Sequence, residues 1–167
     1  VKVQFPAIQS LSTARIVLGE IQAKTTKELY RPSKKGTVRK ELNTLFADVN
    51  DSLDAISTLN INSNVNLSSK KLIDQVKILQ STTNRVLDLP IRIRISNINA
   101  EALLQDYRLT TTMAVSLEEK INQSRDAKEK LHAEELQKSI QTIILVTFLG
   151  TLCAALFSRK LVMIMIQ

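Results

Sequence analysis

One cysteine, one histidine, three glycines, three prolines and no tryptophan are spread over 167 residues, and aromatic residues make up only 4%. Each scarcity excludes something. The lone Cys153 cannot close an intrachain disulfide, and with the lone His132 it leaves no Cys/His set for a zinc site. Cys153 also stands in an apolar run with no histidine near it in sequence, which argues against a thiol nucleophile. None of the glycines is spaced as a phosphate-cradling loop. Too few aromatics accompany the basic residues to stack bases, so nucleic acid is not expected as a partner. His132 and the pairs Glu118-Glu119 and Glu134-Glu135 read as solvated helix faces. No catalysis, cofactor or metal is therefore expected of this chain.

What is abundant favours helix: Leu, Ile, Ala, Lys, Glu and Gln, with few residues that break one. The formal net charge is +7. Residues 1–138 hold 21 Lys and Arg against all 16 Asp and Glu, a net of +5, and Arg159 and Lys160 add the remaining +2. Charged residues interrupt positions 1–30 (Arg15, Glu20, Lys24, Lys27, Glu28), so no cleavable signal peptide is expected there. The chain opens on Val1, and further sequence upstream is expected.

Ser139 to Ser158 runs without a charge through SIQTIILVTFLGTLCAALFS. As a helix this stretch covers about 30 Å, the hydrocarbon thickness of a bilayer. Lys138 bounds one end, and Arg159 and Lys160 the other. No second segment is apolar all round and able to bury it, so a transmembrane helix over 139–158 is expected. Arg159 and Lys160 favour a cytoplasmic side for residues 159–167 and place residues 1–138 across the membrane.

Ahead of the span, apolar periodicity predicts four helices. The first runs from about Pro6 to Tyr30 on Ile8, Leu11, Leu18 and Leu29, with Arg15, Gln22 and Thr25 on the same line. Arg31-Pro32-Ser33-Lys34-Lys35-Gly36 reads as a turn. The second begins at Thr37 and continues on Val38, Leu42, Leu45, Val49, Leu53, Ile56 and Leu59. Asn60 to Ser69 reads as a polar loop, with Ser69 capping a third helix on Leu72, Val76, Leu79, Thr83 and Val86 that Pro90 ends. Ile91-Arg92-Ile93-Arg94-Ile95 alternates strictly and is read as an extended or irregular tip. The fourth helix starts near Asn97 or Asn99 and enters the membrane unbroken, about 87 Å from Ala100 to Phe157. Four amphipathic helices bury their stripes together, so the fold class is all-α: an up-down antiparallel four-helix bundle whose last helix becomes the membrane span. The lower part of that helix, about 120–138, outreaches the first helix. It calls for a partner: either chain upstream of Val1, where a first membrane helix is expected, or a second subunit meeting it around Ile121, Lys128 and Leu131.

A helical bundle whose last helix runs into a membrane span followed by basic residues resembles the sensor region of bacterial chemoreceptors and membrane-bound sensor histidine kinases. Here Ser158-Arg159-Lys160 and then Leu161 to Ile166 stand where the relay segment of that class begins. The resemblance implies a homodimer in the bacterial inner membrane with the bundle in the periplasm, and a small anionic ligand or a periplasmic binding protein as stimulus. The rival reading is a tail-anchored structural or tethering protein.

Arg15 is the polar residue that least fits its stripe. If the helix tops are level, it stands near Gln80 and Thr111; turned inward there its charge needs a carboxylate or an anionic ligand, and at a margin of the stripe it reaches water instead. Arg92, Arg94 and Arg108 form a second candidate anion site near the tip. These six residues are the candidate ligand contacts.

Overall fold

The computed structural model describes residues 4–31, 37–59, 61–95 and 97–166. Every secondary-structure element among them is α-helical: α1 (Gln4–Tyr30), α2 (Thr37–Thr58), α3 (Ser63–Asp88), the single turn α4 (Ile91–Arg94) and α5 (Asn97–Ile166). The chain divides into two compact units, Val1–Arg125 and Asp126–Gln167, and α5 contributes to both.

In the first unit α1, α2, α3 and the beginning of α5 each turn one face into a common core. α1 contributes Ala7, Leu11, Ala14, Leu18, Ile21 and Leu29. From α2 come Leu42, Phe46, Val49, Leu53 and Ile56, and from α3 Val65, Leu72, Val76, Leu79 and Val86. α5 supplies Leu103, Tyr107, Ala114, Leu117 and Ile121. None of these helices is stable in water alone; burying the four stripes against one another supplies what propensity does not.

Polar links tie the helices laterally. Arg39 of α2 forms a two-pronged ion pair with Asp88 of α3 at 2.7 and 2.9 Å, and holds that carboxyl below its ordinary value. Lys24 of α1 reaches Glu41 of α2 at 3.0 Å and Glu20 at 3.3 Å, and these bonds raise its ammonium above the ordinary value. The Ser69 hydroxyl donates to the Leu53 carbonyl at 3.2 Å, and Lys120 of α5 donates to the Ser68 hydroxyl at 2.6 Å.

Three local expectations change. α3 begins at Ser63 rather than after Ser69, because the Asn62 side chain accepts from the Val65 amide at 2.8 Å and caps the helix there. Val65 and Ser69 are then buried, so the polar stretch 63–69 is about two helical turns against α2 and not a loop. Residues 91–95 are helical, not extended: Ile93 and Arg94 donate to the Pro90 carbonyl, at 2.8 and 3.0 Å. Ile121, expected at a subunit contact, is buried in the unit's own core, which leaves Lys128 and Leu131 exposed beyond it. Of the expected turn, residues 32–36 lie outside the described residues.

In the second unit α5 buries nothing among the described side chains. Leu131, Leu136, Ile140, Ile143, Ile144, Leu145, Val146, Phe148, Leu149, Leu152 and Leu156 are all exposed. Among the described residues one helix, α5, is long and apolar enough to cross a membrane. Within its apolar stretch Thr142, Thr147, Thr151 and Ser158 each donate to the carbonyl four residues back, at 2.8 to 3.0 Å. This back-bonding removes these four hydroxyls from the unpaired groups that hydrocarbon penalises heavily.

Candidate functional site

The core stripe of α1 runs through Ala7, Leu11, Ala14, Leu18 and Ile21, and this places Arg15 one position aside from it. Alanine at positions 7 and 14 lets the neighbouring helices approach closely, and Arg15 emerges at the margin where α1 meets α5. Its guanidinium pairs with the Glu118 carboxylate of α5, with side chains 43% and 36% exposed. Of the two placements open to Arg15 in the sequence the structure has the marginal one, with a carboxylate from its own chain as partner.

Beside this pair lies an open cleft of about 510 Å³, lined by Ser12, Arg15, Ile16, Gly19, Gln22 and Thr111 together with Leu18 and Ala114. α1 supplies one wall and α5 the other. Gly19 widens it: a Cβ built at that position meets no atom within 4 Å. Glycine inside a helix costs roughly 0.5–1 kcal/mol relative to alanine, and here no crowding requires it. A neighbouring depression is lined by Gln22, Tyr107, Arg108, Thr111, Thr112 and Val115, so Thr111 and Gln22 belong to both. Together they present two guanidinium groups, an amide and several hydroxyls, with the buried Leu18 and Ala114 beneath and the exposed Ile16 at the rim.

Below the cleft the core turns polar. Thr25, Thr83, Tyr107 and Thr110 are buried there. The Tyr107 hydroxyl donates to Thr25 Oγ1 at 3.1 Å, and the Thr110 hydroxyl donates to the Asp106 carbonyl at 2.7 Å. Burial pushes the Tyr107 phenol above its ordinary value, against the pull of the Thr25 and Thr83 hydroxyls. Thr83 Oγ1 makes no hydrogen bond of normal geometry.

Of the six candidate residues, Arg15, Thr111 and Arg108 come together along the α1–α5 surface. Gln80 lies elsewhere, half-buried on α3 and donating to Asn43 Oδ1 of α2 at 3.4 Å. Arg92 and Arg94 sit on α4, where Arg94 Nε donates to the Leu89 carbonyl at 2.5 Å and Arg92 is exposed. Glu118, Ser12, Gly19 and Gln22 were not expected at the site. Gln22 had left a trace in the sequence, on the same line as Arg15, whereas Glu118 was read as part of a solvated helix face. Among the described residues no group of three or more His, Cys, Asp or Glu is placed to hold a metal ion.

No protein-family model matches the chain, and no curated protein or solved structure matches it.

Proposed function

We propose that this chain is the sensing region of a transmembrane signalling receptor of the chemoreceptor or sensor-kinase type. The first unit is taken as an up-down antiparallel four-helix bundle lying in the periplasm of a bacterium. It receives a small anionic ligand, or the face of a periplasmic binding protein, at the α1–α5 cleft. The observation that carries this reading is the continuity of α5. One helix bears Arg108 and Thr111 on the cleft walls, Glu118 as the partner of Arg15 and, further along, the apolar stretch able to cross a bilayer. The antiparallel order is supported by paired positions: residues 25 and 15 of α1 bond to 107 and 118 of α5, while 39, 43 and 53 of α2 bond to 88, 80 and 69 of α3.

The mechanism follows from Arg15. Without ligand its guanidinium is engaged by Glu118. An anion entering the cleft competes with that carboxylate, and Glu118 is freed from α1. A ligand that binds the separated arrangement better shifts the population toward it, and α5 carries the shift onward. Homodimerisation through residues 126–138 gives the exposed Leu131 and Leu136 an apolar surface to bury against.

The test is thermal unfolding of the full chain in neutral detergent against a panel of small mono- and dicarboxylates, sulfate and phosphate. A ligand at about a hundred times its Kd stabilises by about 2.7 kcal/mol, which is easily read as a rise in Tm. At least one anion should raise the Tm of the wild type and of Arg92→Ala, but not of Arg15→Ala. Equal shifts in wild type and Arg15→Ala, or no shift with any anion, would contradict an anion site at this cleft.

A further inference from the structure

The charge of the first unit is gathered at one end. Among the described residues, 24–31, 37–41 and 85–108 hold 9 Lys and Arg against 5 Asp and Glu, a net of +4, whereas the rest of the described residues up to 125 hold 6 Lys and Arg against 7 Asp and Glu. These segments adjoin. Arg39 pairs with Asp88, and Lys24 with Glu41; Tyr107 bonds to Thr25. Among the described residues, the first unit's excess positive charge therefore lies at the end of α1, the start of α2, the end of α3, α4 and the start of α5. Lys27, Arg31, Lys40, Arg85, Arg92 and Arg108 are exposed there.

The same end exposes apolar surface that its own fold does not use. Ile91, Ile93 and Ile95 are 48%, 48% and 42% exposed, and α4 buries none of its residues. Polar side chains would make this corner equally well, since the bonds that shape it are made by backbone and by Arg94: amides 93 and 94 to the Pro90 carbonyl, and Arg94 Nε to the Leu89 carbonyl. Three isoleucines interleaved with two arginines on a single helical turn present no groove for a peptide, and too few aromatics accompany them to stack bases. Isoleucines that can enter a headgroup layer, ringed by cations that stay at its surface, match the interface of an anionic bilayer in both polarity and charge.

We propose that this end of the first unit binds an anionic lipid surface, with Ile91, Ile93 and Ile95 entering the headgroup region and Arg92, Arg31, Arg85 and Lys40 facing its acidic groups. The charge complementarity identifies the occupant, and the isoleucines separate a lipid surface from an acidic protein or polymer, which would be held by charge alone. The inference does not depend on the α1–α5 cleft.

The test is vesicle flotation of the full chain, held in nanodiscs of phosphatidylcholine, at about 0.15 M salt. Vesicles containing phosphatidylglycerol should carry the nanodiscs upward and pure phosphatidylcholine vesicles should not; salt at about 1 M, where the Debye length falls to about 3 Å, should abolish the difference. The Arg92→Glu/Lys40→Glu variant, and separately the Ile91→Ser/Ile93→Ser/Ile95→Ser variant, should each weaken capture roughly tenfold. Ile93→Leu, which keeps the apolar surface, should bind as wild type, and circular dichroism should show all variants equally helical. Equal capture by neutral and anionic vesicles would overturn the proposal. So would full capture by the triple serine variant, or polyglutamate displacing the anionic vesicles as effectively from that variant as from wild type; these outcomes would assign the end to an acidic macromolecule.

Discussion

Tyr107 shows how a single buried hydroxyl shapes this core. Its ring fills space between helices while its O–H must find a partner, and Thr25 supplies one at 3.1 Å. Replacing it with phenylalanine removes that bond at a cost of about 1 kcal/mol near neutral pH. The cost should vanish and then reverse in alkali. The folded phenol is raised above its ordinary value, so as pH rises past about 10 the unfolded chain loses this proton first, and folding is progressively penalised. Urea melts of wild type and Tyr107→Phe between pH 7 and 11 should therefore converge and cross, and a constant offset would show that Tyr107 titrates alike in both states. Thr83→Val at the neighbouring position exchanges a buried hydroxyl without a well-formed bond for a methyl group. It should leave stability unchanged or raise it by about 1 kcal/mol in the same melts. Both positions fall on apolar stripes legible in the sequence and both are buried, but the partners of their hydroxyls are tertiary contacts that spacing does not reveal. Arg15 is the converse case. Reading the stripe through the large residues Ile8, Leu11 and Leu18 put the arginine on the core line, whereas Ala7 and Ala14 carry that line past it. Small side chains bury as completely as large ones but leave little hydrophobic signal.

At the scale of elements, amphipathicity was legible where it was strong. The Leu42, Val49, Leu53 and Ile56 stripe of α2 and the Leu72, Val76, Leu79 and Val86 stripe of α3 are buried as their spacing implied. The start of α3 was hidden because Asn, Ser and Asn around Val65 have turn-forming composition. Their helical role depends on the Asn62 cap and on the Ser69 bond to Leu53, and the latter is a tertiary contact. The level of α5 against α1 was not legible either. Assuming level tops sets Arg15 beside Thr111 or Thr112, whereas its ion pair is with Glu118, about two helical turns further on. No local rule fixes how far one helix slides along another. The continuity of α5 was legible, since neither Gly nor Pro separates Ala100 from Phe148. If that continuity transmits the signal, Ala133→Pro should break it. Proline there removes one backbone hydrogen bond and clashes with the carbonyl four residues back, costing about 3 kcal/mol locally. The core of the first unit ends at Ile121, so it should melt unchanged. With a reporter kinase fused after Gln167, the Ala133→Pro variant should lose stimulus dependence while Ala133→Ser retains it. Equal responses from both, at equal membrane levels, would reduce α5 to a tether.

For the whole molecule, the sensor reading requires two copies and one orientation. Residues 126–138 are exposed along their length, with Leu131 and Leu136 among alternating charges. A parallel pair about an axis normal to the membrane would bring Lys128, Leu131 and Glu135 of each copy near their symmetry mates. In a Cys153→Ala background, single cysteines at these three positions should form disulfide-linked dimers in membranes. Absence of crosslinking at every position from 126 to 138 would exclude a dimer through this segment. Orientation was argued from Arg159 and Lys160 after the apolar run, a signal in the sequence alone. It separates the sensor from the tail-anchored rival most sharply, because the two place the first unit on opposite sides of the bilayer. Ser63, the exposed first residue of α3, is a suitable reporter. In a Cys153→Ala chain, Ser63→Cys should react with a membrane-impermeant maleimide in intact bacteria as completely as after lysis. Labelling that appears only after lysis would place the first unit in the cytoplasm and contradict the sensor reading at its centre.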